Sequence, residues 1–283
     1  MEWWLICLIA VVGLLVFLFG VYLYHIATSS RRRREVERYR NTYFAHRGLH
    51  GGGVAENSQR AYELACQHGF GIELDVRLTK DGVAVLYHDP DIEYNGKRVL
   101  VEELDYDVLK TLTIGGDGTD RVPTFSEMLA LVNGRVPLLV EIKEKAGSTN
   151  VARAAVELLR DYTGPYIMES FEPYAMKYVR EMMPDVPLGI LCCRYWRNPA
   201  TRSIRNLIGE FFLPNVLFRP DFVAYQHNEI KGAPLFFLRK IFNPPMMAWT
   251  VRSAEEERIA RERGFEYIIF ENYIPSLENK NEI

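Results

Sequence analysis

Between residues 42 and 276, short apolar runs alternate with stretches long enough to form a helix, and that alternation restricts this chain more than any other feature of its sequence. The runs are Tyr43–His46, Gly71–Val76, Val83–His88, Pro137–Ile142, Pro165–Ser170, Pro187–Leu191, Asp221–Ala224, Met246–Thr250 and Tyr267–Phe270. Each reads as a β-strand. Ser58–His68, Phe125–Val132, Val151–Asp161, Tyr174–Met183 and Ala254–Arg263 carry apolar residues three and four apart and read as helices. A helical crossover makes successive strands parallel. The exception is Val83–His88, which follows its predecessor after only the turn-like Leu78–Gly82 and suits an antiparallel return. Eight parallel strands remain, as in an α/β TIM (β/α)8 barrel of roughly 250 residues. An open doubly wound sheet fits less well, because no G-x-G-x-x-G or P-loop follows any strand. Residues 90–122 hold several glycines, no clear strand and a weak helix around Glu102–Leu112, and read as a small lobe inserted over one end of the barrel.

Ahead of the barrel, no Asp, Glu, Lys or Arg appears from Trp3 to Ala27. Such a run is long enough to cross a hydrocarbon core of ~30 Å as a helix, so residues 1–30 read as a single transmembrane anchor. A cleaved signal peptide would carry a basic leading segment, a shorter apolar core and an A-x-A-like site. Arg31 to Arg34, with Arg38 and Arg40, follow the span, so residues 31–41 read as a basic juxtamembrane linker. The positive-inside rule then puts the barrel in the cytoplasm. The same run could hold anionic lipid head groups. Residues 277–283 are left as a C-terminal tail.

With 34 Lys+Arg against 37 Asp+Glu the chain lacks the basic excess of a nucleic-acid binder. Four cysteines with no C-x-x-C spacing suggest neither a disulfide framework nor zinc. No protein partner is implied.

In a TIM barrel the functional residues sit at the C-terminal ends of the strands. Here the first strand ends in His46-Arg47-Gly48, the second carries Glu73 and Asp75, the returning strand ends in His88-Asp89, and the next carries Glu141 and Lys143. Side chains two apart on a strand share a face, so Glu73 pairs with Asp75 and Glu141 with Lys143. Three carboxylates and a lysine thereby converge on one mouth. Neighbouring buried carboxylates repel unless a cation intervenes. All-oxygen ligation favours one hard divalent cation, Mg²⁺ or Ca²⁺. A purely structural network with Arg47, Arg77 and Lys143 is the alternative. His46 and His88 beside that cluster have the ordinary acidity for proton transfer near neutral pH.

The set His46-Arg47-Gly48, Glu56-Asn57-Ser58, Glu73-Leu74-Asp75, His88-Asp89-Pro90, Glu141-Ile142-Lys143, Ser170-Phe171 and Trp249-Thr250-Val251 resembles the glycerophosphodiester phosphodiesterase family in order and spacing. The resemblance implies a TIM barrel with an inserted lobe, a metal held by Glu73, Asp75 and Glu141, catalytic histidines at His46 and His88, and phosphate contacts from Arg47 and Lys143. Its reaction is metal-dependent hydrolysis of a glycerophosphodiester to glycerol 3-phosphate and an alcohol. His46 is assigned as base and His88 as acid, and the attacking hydroxyl belongs either to water or to the glycerol 2-position. Glu56 is a candidate peripheral metal or glycerol contact and Trp249 a secondary site residue, while Asn57 either joins the site or caps the helix Ser58–His68. The family commonly shows Thr-Asp near the last strand, where this chain reads Phe270-Glu271-Asn272. Cys192–Asn198, with Tyr195 and Trp196, could touch the far end of the substrate.

An anchor suggests a membrane-adjacent substrate, so a lysophospholipid cleaved in lysophospholipase D fashion is the alternative. Cleavage like that of a phosphatidylinositol phospholipase C is a further one. Phe211 to Leu213 and Leu235 to Leu238, with Phe242, are candidates for a bilayer-facing surface, or else pack under the outer helices.

Overall fold

The computed structural model describes residues 2–115 and 117–276, so the expected tail 277–283 and Gly116 lie outside the described residues. The chain opens with α1 (Trp3–Ile26) and a short α2 (Arg33–Glu37), then enters the barrel with β1 (Tyr43–Ala45), α3 (Gln59–Gln67), β2 (Gly71–Leu78) and β3 (Ala84–Leu86). The segment that follows contains β4 (Asp91–Tyr94), β5 (Lys97–Leu100), α4 (Tyr106–Leu109), β6 (Thr113–Ile114) and β7 (Asp120–Arg121). The barrel resumes with α5 (Phe125–Val132), β8 (Leu138–Ile142), α6 (Asn150–Leu159), β9 (Tyr166–Ser170), α7 (Pro173–Met182) and β10 (Leu188–Cys192). It closes through α8 (Ile204–Glu210), β11 (Phe222–Gln226), α9 (Ala233–Phe237), β12 (Met246–Val251), α10 (Ala254–Glu262) and β13 (Tyr267–Phe270).

Eight parallel strands run β1-β13-β12-β11-β10-β9-β8-β2, and β1 also pairs with β2, which closes the ring into a TIM barrel. Strand β2 has two sets of partners on one edge. Its first residues pair with β1, and its upper part, Val76 to Leu78, pairs antiparallel with β3. The expected hairpin return is therefore present, and it hangs His88 beside the mouth. Side chains alternate as the strand period requires: Phe44, Leu139, Ile167, Phe222, Met247 and Ile269 fill the interior, and Leu74, Val140, Met168 and Val223 face the helices.

The sequence reading missed two regions. Two small hairpins, β4–β5 and β6–β7, lie between residues 90 and 122, and Ile92, Val101, Leu109 and Ile114 of this lobe make a separate apolar cluster with Val85. Their strands are two to four residues long, too short for alternation to show. The basic run also does more than link. Arg32 is buried, with Nη1 3.1 Å from Asp221 Oδ1 and Nε donating to Pro184 O at 2.6 Å, while Arg33 donates to Asn243 O. Val36 and Tyr39 join the inner cluster, and Tyr39 Oη donates to Tyr166 O. Since Pro184, Asp221, Asn243 and Tyr166 precede or begin strands, this segment closes the end of the barrel opposite the mouth.

Helix α1 is long and apolar enough to cross a membrane, and side chains from Trp3 to Phe19 are almost all exposed. Its last turns are seated on the barrel wall: Asn215 Nδ2 donates to Ile26 O at 3.0 Å, Arg219 donates to Tyr24 O, and Phe19 meets Phe237 edge-on at 5.3 Å. Of the residues considered for a bilayer-facing surface, Phe212, Leu235 and Leu238 are core, whereas Phe211 and Phe236 are exposed.

Candidate active site

The mouth is built where inward-facing positions of neighbouring strands meet. Glu73, Asp75 and Glu141 are all buried, Asp75 pairs in register with Glu141, and one carboxylate oxygen from each lies within 4.8 Å of the others. Lys143 Nζ sits 3.0 Å from Asp75 Oδ1 and 2.7 Å from Glu141 Oε1. Arg47 Nε stands 3.5 Å from Asp75 Oδ2, and Arg47 Nη1 donates to both oxygens of Glu56 at 2.9 and 2.7 Å.

The turn after β1 makes this arrangement possible. Arg47 and Gly48 both have positive φ, 56° and 80°, and a Cβ on Gly48 would lie 2.9 Å from that of Ala61. Only glycine avoids both the strain and the clash. The reversal aims the Arg47 N–H at Glu73 Oε2, 2.8 Å away.

Asn57 does not cap the helix that follows it. Ser58 caps α3, accepting from Ala61 N. The fully buried Asn57 donates to Asp75 Oδ2 at 2.8 Å and accepts from Tyr62 Oη at 2.8 Å, which fixes the Asp75 carboxylate. Glu56 is engaged by Arg47 and stands apart from the three clustered carboxylates. Arg77, considered above as a carboxylate partner, donates instead to Tyr87 O and His88 O. It anchors the backbone that carries His88.

Two cations face three buried carboxylates, and the electrostatics show the deficit. Burial raises Glu73 well above the ordinary glutamate range, with Asp75 and Glu141 adding to the rise, and burial likewise raises Glu141. Burial would also raise Asp75, but Lys143 and its other cationic neighbours overcome it and hold that carboxyl below its usual range. Lys143 is pushed up, the attraction of Asp75 and Glu141 outweighing its burial. A set of three clustered oxygens short of positive charge fits one hard divalent cation.

The histidines flank this cluster. Burial lowers His46, and its Nδ1 lies 3.3 Å from Glu271 Oε2. Glu271 is itself held down at about 2, first by the contact with His46 and then by charges that include Arg252, 2.9 Å away. His88 is lowered by burial and by Lys143, and its Nδ1 lies 2.9 Å from Asp89 Oδ1.

Sequence reasoning passed over three residues here. Glu271 was noted only as a departure from the family pattern, and His50 approaches it from the other side at 3.9 Å. Glu169 is buried beside Glu141 in the β8–β9 register and is raised well above its ordinary range by burial. Its position in phase with the inward Ile167 was the available signal. Trp249 faces the interior and meets Phe171 edge-on at 5.8 Å. Tyr195 lies 6.3 Å from the same ring, whereas Trp196 is exposed.

A parallel barrel with an acidic, histidine-flanked mouth at its C-terminal rim defines a class of barrel proteins built to meet charged ligands. Within it, the profile of the Glycerophosphoryl diester phosphodiesterase family matches residues 46–273, and the chain belongs to that family. The chain is 32% identical over 160 residues to a glycerophosphodiester phosphodiesterase of Caldanaerobacter subterraneus subsp. tengcongensis, covering 52% of this chain and 65% of the relative. To one of Bacillus altitudinis it is 30% identical over 190 residues, 61% of this chain and 75% of that one. The match therefore spans about two thirds of the relatives' length. Among solved structures, a glycerophosphodiester phosphodiesterase from Parabacteroides distasonis superposes with TM-score 0.63 at 26% identity, over 81% of this chain and 92% of that one. An Oleispira antarctica phosphodiesterase, solved in complex with the product sn-glycerol-3-phosphate, shares the fold with TM-score 0.67 at 20% identity, over 82% of this chain and 93% of that one.

Proposed function

We propose that this chain is a divalent-metal-dependent phosphodiesterase that hydrolyses glycerophosphodiesters to glycerol 3-phosphate and an alcohol, anchored by α1 with the barrel on the cytoplasmic side. The observation that carries the reading is the convergence, in a member of this family, of Glu73, Asp75 and Glu141 with two cations and two histidines on one rim. Glu73, Asp75 and Glu141 are the residues that would hold Mg²⁺ or Ca²⁺, whose charge when bound polarises a phosphate oxygen.

Arg47 and Lys143 are the rim cations that meet the anionic diester, the first as a planar fork and the second as a point charge. His46 is the base. Its burial favours the neutral ring, and the ionised Glu271 at Nδ1 selects the tautomer that leaves Nε2 free to accept a proton. The attacking hydroxyl, from water or from the glycerol 2-position, gives that proton to His46 as its oxygen bonds to phosphorus. Glu271 then steadies the imidazolium. His88 is the acid in its protonated form, which Asp89 at Nδ1 favours against burial and Lys143, so that both ring nitrogens carry hydrogen and Nε2 gives its proton to the departing alkoxide as the P–O bond breaks.

Phosphorus NMR of EDTA-treated protein resupplied with Mg²⁺ or Ca²⁺ and glycerophosphocholine tests this. Metal-dependent glycerol 3-phosphate is the expected product, and a transient cyclic phosphate would assign the attack to the 2-hydroxyl. No turnover with either ion would overturn the reading.

A further inference from the structure

Two imidazoles and one carboxylate meet beside the acidic cluster, and only one of the two rings has a role in the reaction. His46, His50 and Glu271 each offer a donor atom, and the three donors lie within 4.8 Å of one another. His46 Nδ1 stands 3.3 Å from Glu271 Oε2, and His50 Nε2 stands 3.9 Å from Glu271 Oε1. Both nitrogens are buried, and among the described residues neither has a hydrogen-bond partner of good geometry. Buried polar atoms are ordinarily paired, so two of them turned toward one carboxylate call for an explanation.

The fold holds these donors in place from both ends of the barrel sequence. Strand β13 pairs with β1, and His46 N donates to Phe270 O at 2.9 Å, which sets Glu271 beside His46. The reversal at Arg47 and Gly48 then returns His50 to the same carboxylate. Leu49 N donates to Ala61 O, and Gly51 and Val54 exchange backbone hydrogen bonds, so the loop that carries His50 is tied on both sides. All three side chains are only partly buried, which leaves an ion a way in from solvent.

The donor set differs in kind from Glu73, Asp75 and Glu141. Mg²⁺ and Ca²⁺ take oxygen, whereas imidazole nitrogen suits Zn²⁺ and its first-row neighbours. Two histidines and a carboxylate, with solvent in the fourth position, make a complete zinc set. Donors about 2.1 Å from a tetrahedral zinc stand roughly 3.4 Å apart, so the present spacing closes on an ion with shifts of roughly 1 Å. The competitor for Glu271 is Arg252, whose Nη2 lies 2.9 Å from Oε2, but that side chain is exposed and free to swing into solvent.

We propose that His46, His50 and Glu271 form a second metal site, one that takes Zn²⁺ and switches the enzyme off. A neutral imidazole has one acceptor nitrogen, and an ion on His46 Nδ1 occupies it. The ring's single hydrogen then sits on Nε2, transferred through solvent with no net gain or loss of a proton. Nε2 can no longer accept the proton of the attacking hydroxyl. The inhibition rests on His46 as the base in the phosphodiesterase reading above, whereas the binding of the ion does not.

The test uses the full chain in lipid nanodiscs with the acidic cluster saturated by Mg²⁺. Co²⁺, a coloured stand-in for Zn²⁺, is titrated first. The wild type should develop a saturable visible band that Zn²⁺ displaces, and His50→Gln and Glu271→Gln should each bind Co²⁺ about tenfold more weakly or worse. Turnover of glycerophosphocholine is then followed against buffered Zn²⁺. In the wild type kcat is expected to fall about tenfold or more with KM unchanged and to recover with a zinc-selective chelator, and His50→Gln should need about tenfold more Zn²⁺ for the same loss. No Co²⁺ band, or a band retained in both variants, overturns the site. Inhibition that excess Mg²⁺ reverses, or that persists undiminished in His50→Gln, assigns the effect to Glu73, Asp75 and Glu141 and overturns the switch. Zinc bound here in a fully active enzyme defeats the switch and removes His46 as base, while the phosphodiesterase reading stands. Silence on glycerophosphocholine without zinc defeats that reading instead, and the Co²⁺ titration still decides the site.

Discussion

Replacing Glu73 by Gln should move stability and metal affinity in opposite directions, a combination that no ordinary packing role produces. In the metal-free protein Glu73 is wholly buried beside Asp75 and Glu141, and its carboxyl is raised well above 4.5. In the unfolded chain it titrates near its ordinary value. Folding therefore takes up a proton between the two values. The contribution of this group to stability is fully present below the unfolded pKa and is lost as pH rises through the folded one. At pH 8, far above its ordinary value, the buried carboxyl is a net burden to the fold. Gln is nearly isosteric, keeps an oxygen for the Arg47 N–H at 2.8 Å, and offers an amide donor toward the two remaining carboxylates. Relief of a buried, under-compensated charge is worth about 1–3 kcal/mol. At roughly 3 °C per kcal/mol for a domain of this size, the EDTA-treated variant should melt about 3–9 °C above wild type at pH 8, and the gap should narrow toward pH 5. With divalent cation the variant's advantage falls by about 2 kcal/mol, so the order reverses wherever the metal-free gain is smaller than that. A ligand at 100 times its Kd stabilises by about 2.7 kcal/mol, and loss of one anionic oxygen that weakens binding about 100-fold removes most of that. Thermal melts with EDTA and with Mg²⁺ or Ca²⁺, at pH 8 and pH 5, read both effects. A Gln variant less stable than wild type in EDTA at pH 8, or an unchanged metal-induced shift, would refute the argument.

His46→Ala and His88→Ala should each lower kcat by about 10²–10⁴ with the melting temperature preserved, and losses below tenfold in both would remove the acid–base assignment. Glu271→Gln should lower kcat with little change in KM, because Glu271 acts on the substrate only through the His46 ring; an equal rise in KM would instead place it in substrate binding. Arg32→Ala leaves the buried Asp221 with one guanidinium in place of two and should destabilise by about 3 kcal/mol, while Arg34→Ala, exposed in the same run, should stay within about 0.5 kcal/mol; equal effects in denaturant melts would deny the closing role of this segment. Glu169→Gln should leave metal affinity within about twofold, and isothermal titration showing a tenfold loss or more would make Glu169 a fourth ligand.

What the sequence determined by itself is everything that depends on local period. Strand and helix alternation specified a barrel, because a parallel sheet requires crossovers and eight of them close. The two-residue strand repeat put Glu73 with Asp75 and Glu141 with Lys143 on inward faces, and the short Leu78–Gly82 turn required the antiparallel return at β3. Tertiary structure alone decided the pairings between residues distant in the chain. Asn57 was equally good as a cap until closure set it 2.8 Å from Asp75 Oδ2 and gave the cap to Ser58. Glu271, at the far end of the barrel sequence, meets His46 only because β13 pairs with β1. Arg32 looked like one charge among several in a basic run, and its burial depends on Asp221 and Pro184 being brought to the same end of the barrel. The hairpins of the inserted lobe and the approach of His50 to Glu271 have the same origin. Periodicity reports which way a side chain points within its own element, but its partner is chosen by the fold that brings another element opposite.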